Sequence, residues 1–344
     1  MSTNQHYIPQ FLLRGFSRSV HGKKKRTVTV YFKNGSMFTG ETKEVAAEKD
    51  FYSILSDIQI TRLERKVFVG CLKRLQMIRP GGIAAAADVL PLISHFSARN
   101  SAHRNISISV MRKLVSGPAM ETFLSRRGML SIVGAGSYYR PLHRCMRIAF
   151  AQKHKTLFKR LGIISLALNP LLFIWYSFII LIWICLTTPS RRNKYFKEYV
   201  DSIGDFAKNK HMTAFEESLL PSDKATQLLS DFQWKVERGP IEGAILPDCV
   251  VIYSKDGKTF GPMGDIDLKE ANLIYMPITT RKILVGRRAG TAQRVKKSIN
   301  KSAAECCFDI FVVENEGKIM LSLTRKISAA HQRINKNLSR VCTQ

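Results

Sequence analysis

The spacing of apolar and polar positions changes several times along the chain, and each change predicts an element. Residues 27–32 alternate, Lys33-Asn34-Gly35-Ser36 supplies turn chemistry, and Met37-Phe38-Thr39 begins a return strand, so a hairpin is expected at 27–39. From 57 to 78, Ile60, Leu63, Val67, Cys71, Leu72 and Leu75 fall three and four apart, which is one face of a helix. Pro80-Gly81-Gly82 interrupts, and 84–96 and 106–115 read as further helices before the break at Gly117-Pro118. Helical spacing returns at 142–160, 195–210 and 223–236. The later pattern suits strands at 248–253, 273–276, 282–285, 308–313 and 319–323, and a basic helix is expected at 327–338.

Between these regions, residues 161–190 carry no charge and are bracketed by Arg160 and Arg191. The densest part, 171–186, holds Trp175, Tyr176 and Trp183 near its ends and spans about 24 Å as a helix. Membrane insertion is the expectation, either as a transmembrane helix or as a re-entrant hairpin bent at Asn169-Pro170. A buried core or interface helix is the alternative. An isolated hairpin is marginal in water, and no other convincing strand precedes residue 240. The hairpin at 27–39 is therefore expected to join the C-terminal strands.

The fold class expected is α+β: mainly helical over the N-terminal two-thirds, with a mostly antiparallel C-terminal sheet joined by the N-terminal hairpin. An apolar helix or hairpin is inserted between them. The expected divisions are a basic, mostly helical part at 1–160, the apolar segment at 161–190, and helices followed by the sheet at 191–344. The first and last of these would form one discontinuous domain.

Charge sharpens this picture. The formal net charge is +28, of which residues 1–160 hold +20, and residues 99–160 contain 13 basic residues against the single acid Glu121. Such a region attracts polyanions, whether nucleic acid or anionic lipid. The cysteines, Cys71, Cys145, Cys185, Cys249, Cys306, Cys307 and Cys342, are odd in number and irregular in spacing, as expected of reduced thiols in a cytosolic compartment. The N-terminus shows no signal-peptide pattern.

Three blocks make a family resemblance. Gln5-His6-Tyr7-Ile8-Pro9-Gln10-Phe11-Leu12-Leu13-Arg14-Gly15-Phe16 is the first, Glu44-Val45-Ala46-Ala47-Glu48-Lys49-Asp50-Phe51-Tyr52 the second, and Phe96 with Arg99 and Arg104 the third. Together they resemble the bacterial domain of unknown function 4238 family. Ile245-Leu246-Pro247-Asp248-Cys249-Val250 and Tyr275-Met276-Pro277-Ile278-Thr279 resemble later blocks of that family, and the apolar segment looks like an addition to its pattern. The resemblance implies no chemistry. Some members resemble components of anti-phage defence loci, which is all it lends to function.

Catalytic candidates are few. His6 suits general acid–base work or, equally, anchors the N-terminus through backbone bonds beside a buried Tyr7 and Phe11. Glu64, flanked by Arg62 and Arg65, reads as an ion-pair partner, and Asp248 takes weight from the resemblance alone. Arg99 and Arg104 suggest an anion clamp, and Arg126, Arg127, Lys155 and Lys159 extend the basic region. Asp248 with Asp256-Gly257-Lys258 imitates a nuclease pattern, but Asp256-Gly257 sits where a hairpin turn is expected. Gly134-Ala135-Gly136 does not complete a dinucleotide loop. His95, His103, Cys306 and Cys307 lack zinc spacing, and no metal or cofactor is expected.

The functional expectation is a membrane-associated, anti-phage defence-type effector or sensor on the cytoplasmic side of the bacterial inner membrane, engaging a polyanion. The alternatives are a soluble, cytoplasmic nucleic-acid hydrolase in which His6, Glu64, Arg99 and Asp248 share one pocket, and a non-catalytic nucleic-acid binder.

Overall fold

The computed structural model describes residues 4–19, 25–49, 54–99, 222–262, 266–290 and 298–332. Contacts divide the chain into two units, Met1–Ile106 with Asn209–Gln344, and Ser107–Lys208, the second of which lies outside the described residues.

Strand β1 (Asn4–His6) leads into helix α1 (Gln10–Leu13), a 3-10 turn (Arg14–Phe16) and β2 (Arg18–Ser19). The expected hairpin is β3 (Arg26–Phe32) with β4 (Met37–Glu41), followed by β5 (Ala47–Lys49). Helix α2 (Ile54–Leu63), a π-helical turn (Glu64–Phe68) and α3 (Val69–Met77) run continuously, and α4 (Ala86–Ala98) follows. Later come α5 (Asp223–Ser230), β6 (Phe232–Arg238), β7 (Leu246–Pro247), β8 (Ile252–Ser254) and β9 (Phe260–Pro262). The last elements are β10 (Leu273–Thr279), β11 (Lys282–Arg288), α6 (Ile299–Cys306), β12 (Ile310–Val313) and α7 (Lys318–Thr324).

All strand pairings are antiparallel. One sheet runs β6-β11-β10-β8-β9, a second runs β2-β3-β12-β7 with β4 on β3, and β1 pairs with β5. The hairpin does join a C-terminal strand: Phe32 lies opposite Ile310 and Thr29 opposite Val313, and the Tyr31 and Phe311 rings stack at 5.2 Å. Its turn works through Asn34, whose Oδ1 accepts from the Ser36 N–H at 2.9 Å, and through Gly35, which takes φ +83° without a Cβ clash.

The long helix is fastened to the other sheet at its end. Lys282 Nζ donates to the carbonyls of Gln76 and Ile78 at 2.5 and 2.9 Å, satisfying C-terminal groups that the helix leaves open. Gln76 Nε2 donates to the Ile278 carbonyl at 3.1 Å. Residues 81–84 then run along β6, with Gly81 N–H on the Val236 carbonyl at 2.7 Å and Ala84 N–H on the Trp234 carbonyl at 2.9 Å. Across β11, the Trp234 indole lies where a Cβ of Gly286 would stand, 2.4 Å from its nearest ring atom, so only glycine admits it.

Several expectations need correction. The N-terminal part is not uniformly helical, because β1 to β5 precede the first long helix. The helix expected at 223–236 stops at Ser230 and continues as β6, whose alternating burial (Phe232, Trp234 and Val236 inside) is a strand pattern. The strand expected at 319–323 is helix α7. The transmembrane helix is also corrected: no helix among the described residues is long and apolar enough to cross a membrane. The continuous α2–α3 helix carries Asp57, Arg62, Glu64, Arg65, Lys66, Lys73 and Arg74. Apolar α4 has 13 residues, about 20 Å against a hydrocarbon core of about 30 Å. The apolar run at 161–186, the inserted element of the expected fold, lies outside the described residues.

Candidate functional site

The opening block folds as an anchor. Pro9, fixed at φ −60°, caps α1, and its carbonyl accepts from the Leu12 and Leu13 N–H groups at 3.0 and 3.1 Å. Ile8, Leu12, Leu13 and Phe16 are fully buried, and Phe11 packs against Phe96 with ring centroids 6.1 Å apart. The chain before them pairs with β5, and Tyr7 N–H reaches the Ala46 carbonyl at 3.0 Å. His6 is thereby held half-buried, its Nε2 3.3 Å from the Thr42 carbonyl and 3.5 Å from Gln10 Nε2.

Behind His6 lies a buried polar cluster built from three separate stretches of chain. Arg99, at the C-terminal cap of α4 and 4 % exposed, donates from Nη1 to Glu64 Oε1 and from Nη2 to the His6 carbonyl. One turn earlier on α4, His95 places Nε2 3.3 Å from Arg99 Nη1 and 3.7 Å from Glu64 Oε1. The His95 ring stacks on Phe68 at 4.2 Å. Glu64 opens the π-helical turn and Phe68 closes it, so one irregular turn supplies both the carboxylate and the ring beneath the histidine.

The electrostatics separate these groups into roles. Burial pushes the Glu64 carboxyl up, but Arg99 and His95 pull it down further, so it stays ionised below the ordinary value. Burial drives His95 down to about 4, which makes it a neutral spacer. His6 is also lowered, by burial first and by Arg99 second, against the Thr42 carbonyl that favours its protonated form. Burial raises the Asp57 carboxyl, within electrostatic reach of Arg99, Glu64 and His6. A neutral imidazole beside a carboxyl with a raised pKa is a proton acceptor and donor pair.

Asp57 also opens outward. With Ile58, Thr61, Arg62, Arg65 and Lys66 it lines an open groove of about 510 Å³ along α2 and the π-turn. Arg62, Arg65 and Lys66 are exposed and fall on one helix face at three- and four-residue spacing. Among the described residues, no three His, Cys, Asp or Glu side chains are grouped so as to hold a metal ion.

Of the residues singled out in the sequence, the structure brings His6, Glu64 and Arg99 together. Arg99 faces inward, engaged by Glu64 and the His6 carbonyl, so it does not present an external anion clamp. Asp248 is elsewhere in function. Its two oxygens accept from the Phe308, Asp309 and Ile310 N–H groups at 2.8–3.1 Å, and it is 2 % exposed. Asp256 does sit in the expected turn, where its Oδ1 accepts from the Lys258 and Thr259 N–H groups at 2.9 and 2.8 Å. Arg104, Arg126, Arg127, Lys155 and Lys159 lie outside the described residues. Sequence reasoning missed Asp57 and the part played by His95. The available signals were the i, i+4 pair His95 and Arg99, and Asp57 one turn before Thr61 and Arg62 on the cationic face.

Residues 4–69 match the family described as "Protein of unknown function (DUF4238)", which supports the resemblance read from the sequence over that stretch. The matched stretch contains His6, Asp57, Glu64 and the whole groove, whereas His95 and Arg99 come from beyond it. No curated protein and no solved structure matches the chain.

The buried histidines give this unit a pH dependence. Burial pushes His95 and His331 to about 4 from an ordinary 6.5, so between those values the unfolded chain binds protons that the folded chain refuses. Their contribution to stability is complete above pH 6.5 and is lost as pH falls towards 4. Asp248, pushed up by burial to about 6, works in the opposite sense between about 6 and 4. Two histidines outweigh one carboxyl, and urea unfolding at pH 7.5 and 4.5 should differ by about 3 kcal/mol, less stable in acid. His331→Gln should remove much of that difference. A flat profile would contradict the burial of both rings.

Proposed function

We propose that this chain binds nucleic acid along the α2 groove and hydrolyses its phosphodiester backbone at the cluster behind it. The observation that carries the reading is the convergence of His6, Glu64 and Arg99 behind a helix face bearing Arg62, Arg65 and Lys66. The cations supply sequence-independent attraction for phosphates, and the half-buried imidazole supplies a proton acceptor. Such an activity suits the anti-phage setting implied by the family resemblance, since degrading nucleic acid halts replication.

The test reverses exposed charges that make no contact with the buried cluster. Arg62→Glu with Arg65→Glu and Lys66→Glu should weaken binding of single-stranded oligonucleotides and flatten its salt dependence by about 2 in log–log slope. His6→Asn should leave binding in place and remove turnover. Binding without turnover in the wild-type chain would favour the non-catalytic binder. Binding unaffected by the reversals would sink the groove reading.

A further inference from the structure

Asp57 is out of place on the groove. Its neighbours there are Ile58, Thr61, Arg62, Arg65 and Lys66, and a carboxylate among three cations repels the phosphates that the cations attract. An acid in the first turn of α2 favours the helix dipole, but that benefit does not require a position facing the cations. Asp57 is instead the one groove-lining acid, and it is electrostatically coupled to His6, Glu64 and Arg99. Glu64 is already committed as the partner of Arg99, which leaves Asp57 as the acid available to a substrate.

Resting on the nucleic-acid reading above, we propose that His6 and Asp57 are the base and acid of a cleavage whose substrate is RNA and whose nucleophile is the RNA 2′-hydroxyl. His6 takes the 2′-hydroxyl proton as O2′ forms a bond to phosphorus. The bond from phosphorus to O5′ breaks, and O5′ takes its proton from Asp57. The products are a 2′,3′-cyclic phosphate and a 5′-hydroxyl end, with protonated His6 and ionised Asp57 re-equilibrating through solvent. No water, oxidant or cofactor is consumed. The reaction asks for one base, one acid and positive charge around the phosphorane, and this site offers those three things. Arg62, Arg65 and Lys66 stabilise the developing charge. Burial, which raises the Asp57 carboxyl, favours the proton-carrying form that a donor needs.

The experiment offers the full chain three single strands of one sequence, RNA, DNA and 2′-O-methyl RNA, in the presence of EDTA. RNA alone should be cut, leaving 2′,3′-cyclic phosphate ends. Asp57→Asn keeps the side chain's shape and removes a negative charge from the groove. It should bind the 2′-O-methyl strand as tightly as wild type or tighter, while RNA cleavage falls about 100-fold or more. A merely structural Asp57 would move both readouts together, and that outcome overturns the proposal. So does cleavage of DNA or of 2′-O-methyl RNA, or loss of RNA cleavage in EDTA, although the broader hydrolase reading survives those results. If the chain cuts none of the strands, both readings fall.

Discussion

Arg99→Met should destabilise the described unit by about 3–5 kcal/mol, read as a lowered midpoint of denaturant unfolding with unchanged slope. The guanidinium is 4 % exposed and joins three stretches of chain: Glu64 on the π-turn, the His6 carbonyl at the end of β1, and its own helix α4. Removing it leaves the Glu64 carboxylate, only 18 % exposed, without its cation, and leaves the His6 carbonyl without that donor. The cost is therefore the desolvation of the groups left behind more than the attraction lost. Glu64→Gln in the same chain should recover part of the loss, because a neutral amide needs no cation. A change below about 1 kcal/mol for Arg99→Met would mean that water reaches the cluster and screens it.

Asp248→Asn should cost about 3 kcal/mol or more, although the side chain barely changes in size. Three consecutive N–H groups, those of Phe308, Asp309 and Ile310, converge on its two oxygens. An asparagine offers one oxygen, and its amino group would turn donors towards donors. Those N–H groups lie where the chain enters β12, so the loss loosens the strand that holds the N-terminal hairpin. The adjacent backbone adds to the demand. Val250, buried and β-branched, sits at φ +55°, and the Val251 N–H is 2.6 Å from the Cys249 carbonyl in a tight turn. Full activity with weakened stability is the expected combination, since Asp248 makes none of the bonds of the His6 cluster. Loss of activity in a fully folded Asp248→Asn chain would return this residue to the catalytic candidates.

The elements legible in the sequence were those whose information is local. Alternation around Asn34-Gly35 was enough for the β3–β4 hairpin, and three-and-four spacing was enough for the long helix. The need of a lone hairpin for partners pointed correctly to the C-terminal strands. The misread elements had ambiguous local patterns. Asp223 to Val236 contains no glycine or proline, so nothing in it marks the change of period at Asp231. Ile319-Met320-Leu321-Ser322-Leu323 is too short an apolar run to separate helix from strand. The pairing of β1 with β5 was invisible, because it depends on a chain reversal of some forty residues. At the site, His6, Glu64 and Arg99 could each be singled out by chemistry. Their assembly could not, because it needs a π-turn, a strand end and a helix cap in register. Asp248 was misassigned for the same reason: an acid that three backbone amides require looks, in sequence, like an acid that a substrate requires.

The pairing of β3 with β12 sets a timetable for synthesis. The hairpin leaves the ribosome early, but the strand that covers its far edge is made only after nearly the whole chain. At ordinary translation rates that interval is about 15–55 s. Throughout it, Val28, Val30 and Tyr31, all buried in the finished protein, lack the β12 backbone and the Phe311 ring that shelter them. A nascent chain in that condition is a substrate for chaperones that hold exposed strands. A message truncated shortly before codon 310 would release a polypeptide with an open, apolar sheet edge.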